Sequence, residues 1–211
     1  MRDIGKPPPG LILTPRPYRG KISTKWSRSR AGVKKFVEWA LKNQEGQCVF
    51  CGFFVGDVRY RRAYDVDHFA PQANTLYPQW KFEPLNLVIA CHSCNSVFKQ
   101  GYDSVITVSS NYANCSFSLV HPYLDSVNDH LQGTYSGGAQ QIGAPSFCTL
   151  KGLRTIRKFK LDDPDYISEI NNQAESLALA AWKNAAPDAD VKRYKKALSE
   201  IEGNRRSGQI N

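Results

Sequence analysis

The sequence predicts an α+β protein, because helical and strand patterns follow one another in short segments along 211 residues. Apolar residues recur at helical spacing over 33–41 and again after residue 163. Short β-rich runs lie at 58–68 and 86–90, and two Cys-x-x-Cys pairs flank them. A chain of this length forms one domain, or a small domain with an appended one. We therefore divide it into an N-terminal arm (1–28), a core (29–101) and a C-terminal region (102–211).

The arm is basic and rich in proline, which favours extended backbone over packed helix. Residues 1–35 carry ten basic side chains and one acidic side chain, so this stretch accounts for the whole net charge of +9. Such an arm is typical of a segment that meets a polyanion, most commonly nucleic acid. Arg28 and Arg30 are its candidate nucleic-acid contacts. The alternative is a solvated tail.

The composition argues against a membrane protein, since no apolar run approaches the roughly 18–20 residues that span a bilayer. Pro7, Pro8, Pro9 and Gly10 interrupt the N-terminal stretch where a secretory signal would need an apolar segment. We therefore expect a cytoplasmic protein. In that reducing compartment, paired Cys-x-x-Cys motifs bind zinc more often than they form disulfides.

The core elements follow in order. Val33, Phe36, Val37, Ala40 and Leu41 lie on one helical face, and the helix is expected to end near Gly46. A strand is predicted over 58–68 and a second, shorter one over 86–90, where the sequence reads Asn-Leu-Val-Ile-Ala. Asn95 is placed near the start of a further helix.

The C-terminal region begins with short strands at 105–108 and 117–120 and a Gly/Ser/Gln loop over about 132–146. Asp163 can cap a helix that has Pro164 at its first position. A second helix starting at Pro187 completes a predicted helical hairpin. The stretch HPYLDSVNDH contains His121, Asp125, Asp129 and His130. It is either an element that packs against the site or an ordinary His-Pro turn followed by an acidic helix start.

The two motifs CVFC and CHSC supply four thiolates, enough for one tetrahedral zinc ion. A spacer of 39 residues separates Cys51 from Cys91, so a structural unit must be built between the two halves of the site. A zinc ion held by Cys48, Cys51, Cys91 and Cys94 would be structural, since no position stays open for water or substrate. His92 is an alternative ligand to one cysteine. Cys115 and Cys148 are expected to be small buried apolar residues.

The order of the motifs between and around these cysteines resembles the HNH endonucleases, whose ββα-metal (His-Me finger) core is often carried on a four-cysteine zinc clip. The matching stretches are CVFC, DVDHFAPQ, EPLNLVIACHSCN and SVFK, which together span 48–99, about a quarter of the chain. The resemblance implies a ββα-metal core and metal-dependent hydrolysis of phosphodiester bonds, mostly of DNA.

The resemblance also implies a role for each matched residue. His68 would be the general base that takes a proton from the attacking water. Asp67 would bind one divalent cation, Mg²⁺ or Mn²⁺, with Asn95 as the second ligand. Asn86 would brace the loop through backbone hydrogen bonds. Many members of the family have histidine where Asn95 stands, and an amide oxygen suits Mg²⁺.

The chemistry of these residue types agrees with that assignment. Phosphodiester hydrolysis needs a water nucleophile, a base and a cation that stabilises the developing charge. Adjacent strand residues point to opposite faces, so Asp67 and His68 converge only if the strand ends or bends there. Lys99 and Arg62 are candidates for holding phosphate oxygens.

Two further interpretations concern partners. The whole chain is faintly similar to the HNH subunits of bacterial anti-phage systems of the Septu and retron types, which pair with an ATPase. A rival function is a zinc-containing module that binds nucleic acid or docks a partner without catalysis. A binding module needs no base, so the set formed by Asp67, His68 and Asn95 argues for the enzyme.

Overall fold

The computed structural model describes residues 1, 4–8, 11, 17–18, 21–22, 31–56, 64–73, 76–133, 144–185, 192 and 196. Within these residues the protein combines helices with four antiparallel sheets of two strands each, which confirms the α+β class. The chain divides into two compact units, 1–171 and 172–211. In the described part of the chain, no helix is both long and apolar enough to cross a membrane.

The described part of the N-terminal arm contains two short strands, β1 (Pro17–Tyr18) and β2 (Lys21–Ile22), which pair antiparallel. Met1 and Ile4 are buried among the core residues. The arm therefore contributes apolar side chains to the fold in addition to its charge. The candidate nucleic-acid contacts Arg28, Arg30 and Arg62 lie outside the described residues.

Helix α1 (Ala31–Asn43) presents the predicted apolar face to the core, with Val33, Phe36 and Ala40 fully buried. Gln44, just after the helix, is also buried. Its side-chain amide donates to the carbonyl of Ile89 (2.8 Å) and accepts from the backbone N–H of the same residue (3.0 Å). The glutamine thus gives the buried N–H of Ile89 a partner, while the carbonyl of Ile89 also accepts from the N–H of Val49 (3.0 Å).

Strand β3 (Tyr64–His68) pairs antiparallel with β4 (Leu87–Cys91), and the register sets His68 opposite Leu87. All five residues of β4 are buried, because α1 packs against this strand and so does the helix that follows it. That helix, Ser93–Lys99, is a π-helix. The predicted strand, strand and helix are therefore present in the predicted order, with β3 described from residue 64 onward.

The remaining elements connect this pair of strands or follow it in the chain. Two 3₁₀-helices (Pro78–Phe82 and Pro84–Asn86) connect β3 to β4. The later elements are β5 (Val105–Thr107), a 3₁₀-helix (Tyr112–Asn114), β6 (Ser116–Phe117), α2 (Val127–His130), β7 (Leu131–Gln132), β8 (Ser146–Phe147), α3 (Leu150–Phe159) and α4 (Pro164–Ala185).

The predicted cap of α4 is present, since the Asp163 carboxylate accepts from the backbone N–H groups of Asp165 (3.0 Å) and Tyr166 (3.2 Å). Of the second helix of the predicted hairpin, only Lys192 and Lys196 belong to the described residues, and both are helical. The sequence analysis did not anticipate α3. Its Thr149 cap, which accepts from the N–H of Gly152 at 3.1 Å, was the local sign of a helix start.

Candidate functional site

The two Cys-x-x-Cys pairs form one cluster. The Sγ atoms of Cys48, Cys51, Cys91 and Cys94 lie within 4.8 Å of one another, and all four residues are buried. The Sγ atoms of Cys51 and Cys91 are 3.8 Å apart. Zn–S bonds of about 2.3 Å in a tetrahedron place sulfur atoms about 3.8 Å apart. The four cysteines can therefore hold a metal ion such as zinc, as the sequence predicts.

Without a metal, the surroundings of the cluster favour thiolate sulfur at one position, Cys91, whereas burial raises the pKa of Cys48 and hydrogen bonds to the other cysteines raise that of Cys94. The pKa of Cys91 falls well below its ordinary value, because Cys48, Cys51 and Cys94 donate hydrogen bonds to it. The backbone N–H of Cys94 also points at the Cys91 sulfur (3.4 Å). The Tyr166 hydroxyl donates to Cys51 Sγ at 2.9 Å. Such groups around the ligands orient them and tune metal affinity.

The other candidate thiols and the alternative ligand lie elsewhere. His92 is exposed, and its Nδ1 lies 3.3 Å from the carboxylate of Asp65, outside the group of four cysteines. Cys115 is buried, as predicted. Cys148 is exposed, which corrects the prediction of a buried residue. It lies between Phe147 and Leu150, two apolar residues that are themselves exposed, so this short stretch lies at the surface.

Asp67 and His68 share one cleft of about 180 Å³, which Asn95 and Lys99 also line. The strand β3 ends at His68, so the alternation of faces stops there and both side chains can meet the same space. Each of the two residues is only 4% exposed. The structure thus brings together four of the predicted site residues at the junction of β3 and the π-helix.

The His68 ring is held in one tautomer. Its Nε2 lies 3.0 Å from the carbonyl oxygen of Lys81, and a carbonyl can only accept, so Nε2 carries the proton. The lone pair of the neutral ring is then on Nδ1. Burial lowers the pKa of His68 to about 4, and the positive charges of Lys99 and Lys81 act in the same direction. The imidazole is consequently neutral at pH 7 and able to accept a proton.

The two oxygens of the Asp67 carboxylate differ in their hydrogen bonding. Oδ1 accepts from the Lys99 ammonium at 2.9 Å, and the same ammonium donates to the His68 carbonyl at 2.6 Å. Burial raises the pKa of Asp67, while the Lys99 charge and hydrogen bond act in the opposite direction. Oδ2 is buried and has no hydrogen-bond partner among the described residues. Lys99 is itself 3% exposed and two of its three N–H groups are engaged within the protein.

Asn95 lies on the same side of the π-helix as Lys99, since both line the cleft. Its amide Nδ2 donates to the Asp65 carboxylate at 3.1 Å, which fixes the plane of the side chain. Nδ2 makes this bond, so Oδ1 is the oxygen that the side chain can offer to a cation.

Asn86 is 1% exposed and makes four hydrogen bonds around the turn that follows β3. Its Oδ1 accepts from the Ala70 N–H (2.6 Å) and from the Tyr112 hydroxyl (2.9 Å). Its Nδ2 donates to the carbonyls of Ala70 (3.2 Å) and Trp80 (3.0 Å). The side chain thus fixes the backbone two residues beyond His68, and its own hydrogen-bonding capacity is filled.

The buried residue His121, whose role the sequence does not settle, extends the hydrogen-bond network around Asn86. Tyr123 donates its backbone N–H to Nδ1 of His121 (3.2 Å), so Nε2 of that ring donates to the Tyr112 hydroxyl (3.1 Å). The chain of hydrogen bonds runs from His121 through Tyr112 to Asn86. His121 is fully buried, and the centroid of its ring lies 4.3 Å from that of the Phe69 ring. The structure bears out both interpretations of this segment: His121 packs against the candidate site, and a turn at 122–124 is followed by α2 with Asp129 in its first turn.

A basic helix that was not predicted from the sequence packs against the π-helix. Helix α3 packs against the π-helix, and residues 150–160 contain five basic and no acidic side chains: Lys151, Arg154, Arg157, Lys158 and Lys160. The Lys158 ammonium lies 4.6 Å from the centroid of the Tyr102 ring, and that of Lys160 lies 5.7 Å from the Phe98 ring. The absence of acids over eleven residues was the available sign.

Comparison with protein-family models, with curated proteins and with solved structures gives no match to this chain. Its function is therefore inferred from the residues of the cleft and of the cysteine cluster.

Proposed function

We propose that the protein is a metal-dependent endonuclease of the HNH type that hydrolyses phosphodiester bonds of DNA. One observation carries the proposal. A neutral buried imidazole and a buried carboxylate with an unpartnered oxygen line the same cleft. Unpartnered buried carboxylate oxygens are costly, and functional sites are where such groups are kept.

His68 acts as the general base. The bond from its Nε2 to the Lys81 carbonyl places the lone pair of the ring on Nδ1, and this is the atom that takes a proton from water in the proposed reaction. As the O–H bond of that water breaks, its oxygen forms a bond to phosphorus and the bond to the leaving oxygen breaks. Asn86 holds the adjacent turn, so that the ring keeps its position relative to Asp67.

The donor set of the cleft fits a hard divalent cation. Asp67 Oδ2 and the Asn95 amide oxygen are the ligand types that Mg²⁺ and Mn²⁺ prefer. When bound, the cation supplies positive charge for the phosphorane and the leaving oxygen and lowers the pKa of water. Lys99 already contributes one positive charge to the same carboxylate.

In this proposal the cysteine cluster holds a structural zinc ion. It joins the turn before β3 to the end of β4 and the start of the π-helix, and so fixes the two elements that carry Asp67 and Asn95. A closed set of four cysteines leaves no position for substrate, which favours a structural ion over a catalytic one.

Nucleic acid is the substrate class that the charge of the surface supports. The basic helix α3 lies against the π-helix that supplies Asn95 and Lys99, so a phosphate backbone entering the cleft passes a positive surface. The side chains of Arg154 and Arg157 are exposed, and no acidic residue lies within four positions of either in the sequence. Pairing with an ATPase and a role against phage stay predictions.

The test is cleavage of supercoiled plasmid by the full chain in the presence of Mg²⁺, Mn²⁺ or EDTA. A single-stranded RNA and a single-stranded DNA of equal length are tested under the same conditions. Conversion of plasmid to nicked or linear DNA that requires the added metal supports the proposal. Cleavage of the RNA strand alone would replace DNA by RNA as the substrate. Absence of cleavage of any substrate, at protein concentrations that bind the plasmid, would contradict it.

One observation favours the non-catalytic alternative. The Lys99–Asp67 pair is buried and bonded like a structural ion pair, which a nucleic-acid-binding zinc module could contain without any catalytic use. In that case plasmid is bound and never cut, and the substitution Asp67→Asn leaves plasmid affinity unchanged.

A further inference from the structure

Lys99 lies at the centre of the candidate site. Its ammonium is 2.9 Å from Asp67 Oδ1 and 2.6 Å from the His68 carbonyl oxygen. The two side chains of the pair are 3% and 5% exposed. Lysine is rarely buried to this extent unless it is paired, and these two oxygens are the partners of the Lys99 ammonium.

The backbone of the π-helix brings Lys99 to this position. The N–H of Gln100 donates to the carbonyl of Asn95, five residues earlier, at 3.1 Å, and Gln100 then ends the helix with a φ of 41°. The wider turn sets Asn95 and Lys99, four residues apart, on the wall of one cleft. Short π-helical turns are rare and are frequent at functional sites.

The two oxygens of Asp67 therefore have different surroundings. Oδ1 is neutralised by Lys99, whereas Oδ2 is buried and without a partner in the described residues. Asn95, which also lines the cleft, offers an amide oxygen. A divalent cation in the cleft would take Oδ2 and the Asn95 oxygen as ligands, since carboxylate and amide oxygens are the ligands that Mg²⁺ and Mn²⁺ prefer.

We propose that Lys99 is a built-in cation that shares the Asp67 carboxylate with the divalent metal, one oxygen each, and thereby weakens metal binding. This inference rests on the proposed function. Lys99 is a positioning residue, since it contacts Asp67 and the His68 backbone and not the reacting atoms. With the metal absent, its hydrogen bond to Oδ1 orients the Asp67 carboxylate.

The expected effect follows from Coulomb repulsion between the ammonium and the divalent ion on the same carboxylate. At the effective dielectric constant of a protein site, like charges separated by a carboxylate repel strongly enough to change affinity by about tenfold or more. A neutral residue at position 99 should thus tighten metal binding. A positively charged residue at position 99 should leave metal binding as weak as in the wild type.

The test measures Mn²⁺ affinity directly, from the electron paramagnetic resonance signal of free Mn²⁺ in titrations of the full chain. Lys99→Gln keeps an N–H donor and removes the charge, Lys99→Arg keeps the charge, and Lys34→Gln removes an exposed charge on α1. We expect Lys99→Gln to bind Mn²⁺ about tenfold more tightly than wild type. The other two variants should stay within about twofold of wild type.

Equal or weaker Mn²⁺ binding by Lys99→Gln would overturn the inference, as would the absence of Mn²⁺ binding by both proteins. Zinc content and circular dichroism establish that each variant folds, and Lys99→Met is a second neutral variant with the same expectation. The proposed function is judged separately by plasmid cleavage. Metal-dependent cleavage with unaltered affinity in Lys99→Gln would keep the nuclease and reject the role of the lysine.

Discussion

The Tyr166 hydroxyl donates a hydrogen bond of 2.9 Å to the Sγ atom of Cys51, although 115 residues separate the two in the chain. The same hydroxyl lies 3.6 Å from Cys91 Sγ. Burial and the nearby sulfur charge raise the pKa of Tyr166, so it stays protonated and can donate. The start of α4 is thereby connected to both halves of the cysteine cluster.

Tyr166→Phe should therefore weaken zinc binding without abolishing it. Loss of a hydrogen bond to a metal ligand typically lowers affinity by about 10- to 100-fold. Competition with a chromophoric chelator gives the affinity, and Tyr102→Phe is the matched control, because the Tyr102 hydroxyl bonds to Ser118 and not to a cysteine. An unchanged zinc affinity in Tyr166→Phe would mean that the contact serves packing alone.

His68→Ala should remove plasmid cleavage and leave the zinc content unchanged. In the proposed mechanism His68 supplies the base, and it is not one of the four clustered cysteines; loss of a general base typically costs at least about 100-fold in rate. His92→Ala is the control, because that ring is 77% exposed and lies outside the cleft. Cleavage by His68→Ala at the wild-type rate would show that another group accepts the proton.

Stability should fall as the pH drops below about 6.5, partly because of His121. Burial, with a smaller contribution from the Lys151 charge, holds the pKa of His121 well below its ordinary value. The Tyr112 hydroxyl faces its Nε2, and the Asp125 carboxylate accepts its backbone N–H. In the window below the unfolded-state pKa the unfolded chain binds a proton that the folded chain does not, so the free energy of unfolding rises with pH.

Urea denaturation at pH 5.5 and 7.5 measures this dependence. The His121 contribution at the lower pH is about 1.4 kcal/mol of lost stability. In His121→Gln, which cannot take up the proton, the difference between the two pH values should shrink by about that amount. An identical difference in both proteins would show that His121 is already protonated in the folded state, contrary to its burial.

Reversing two charges on α3 should weaken binding to DNA. Arg154 and Arg157 are exposed on the helix that packs against the π-helix, and each can neutralise one phosphate. Arg154→Glu with Arg157→Glu should lower the slope of log affinity against log salt by about 2, measured by fluorescence anisotropy. Lys34→Glu with Lys35→Glu, both exposed on α1, makes the same change in net charge. Equal losses in the two double variants would show that only total charge matters.

Local patterns in the sequence were sufficient for a large part of this protein. The spacing of Val33, Phe36 and Ala40 predicted α1, and the Asp163 cap predicted the start of α4. The two Cys-x-x-Cys pairs predicted one cluster, because paired thiols at that spacing suit a tetrahedral metal ion. Each of these features is encoded within a few neighbouring residues.

The contacts by which residues distant in the chain complete the candidate site depend on tertiary packing. It buried Lys99 against Asp67, set Tyr112 and His121 behind Asn86, and brought Tyr166 to Cys51. It also turned a run of basic residues at 150–160 into a helix that packs against the π-helix. Such contacts leave no periodicity or spacing in the chain, because they depend on which faces the core brings together. The amino-acid sequence thus supplies the chemical groups of the candidate site. Tertiary packing brings particular groups into contact and places their charges next to one another.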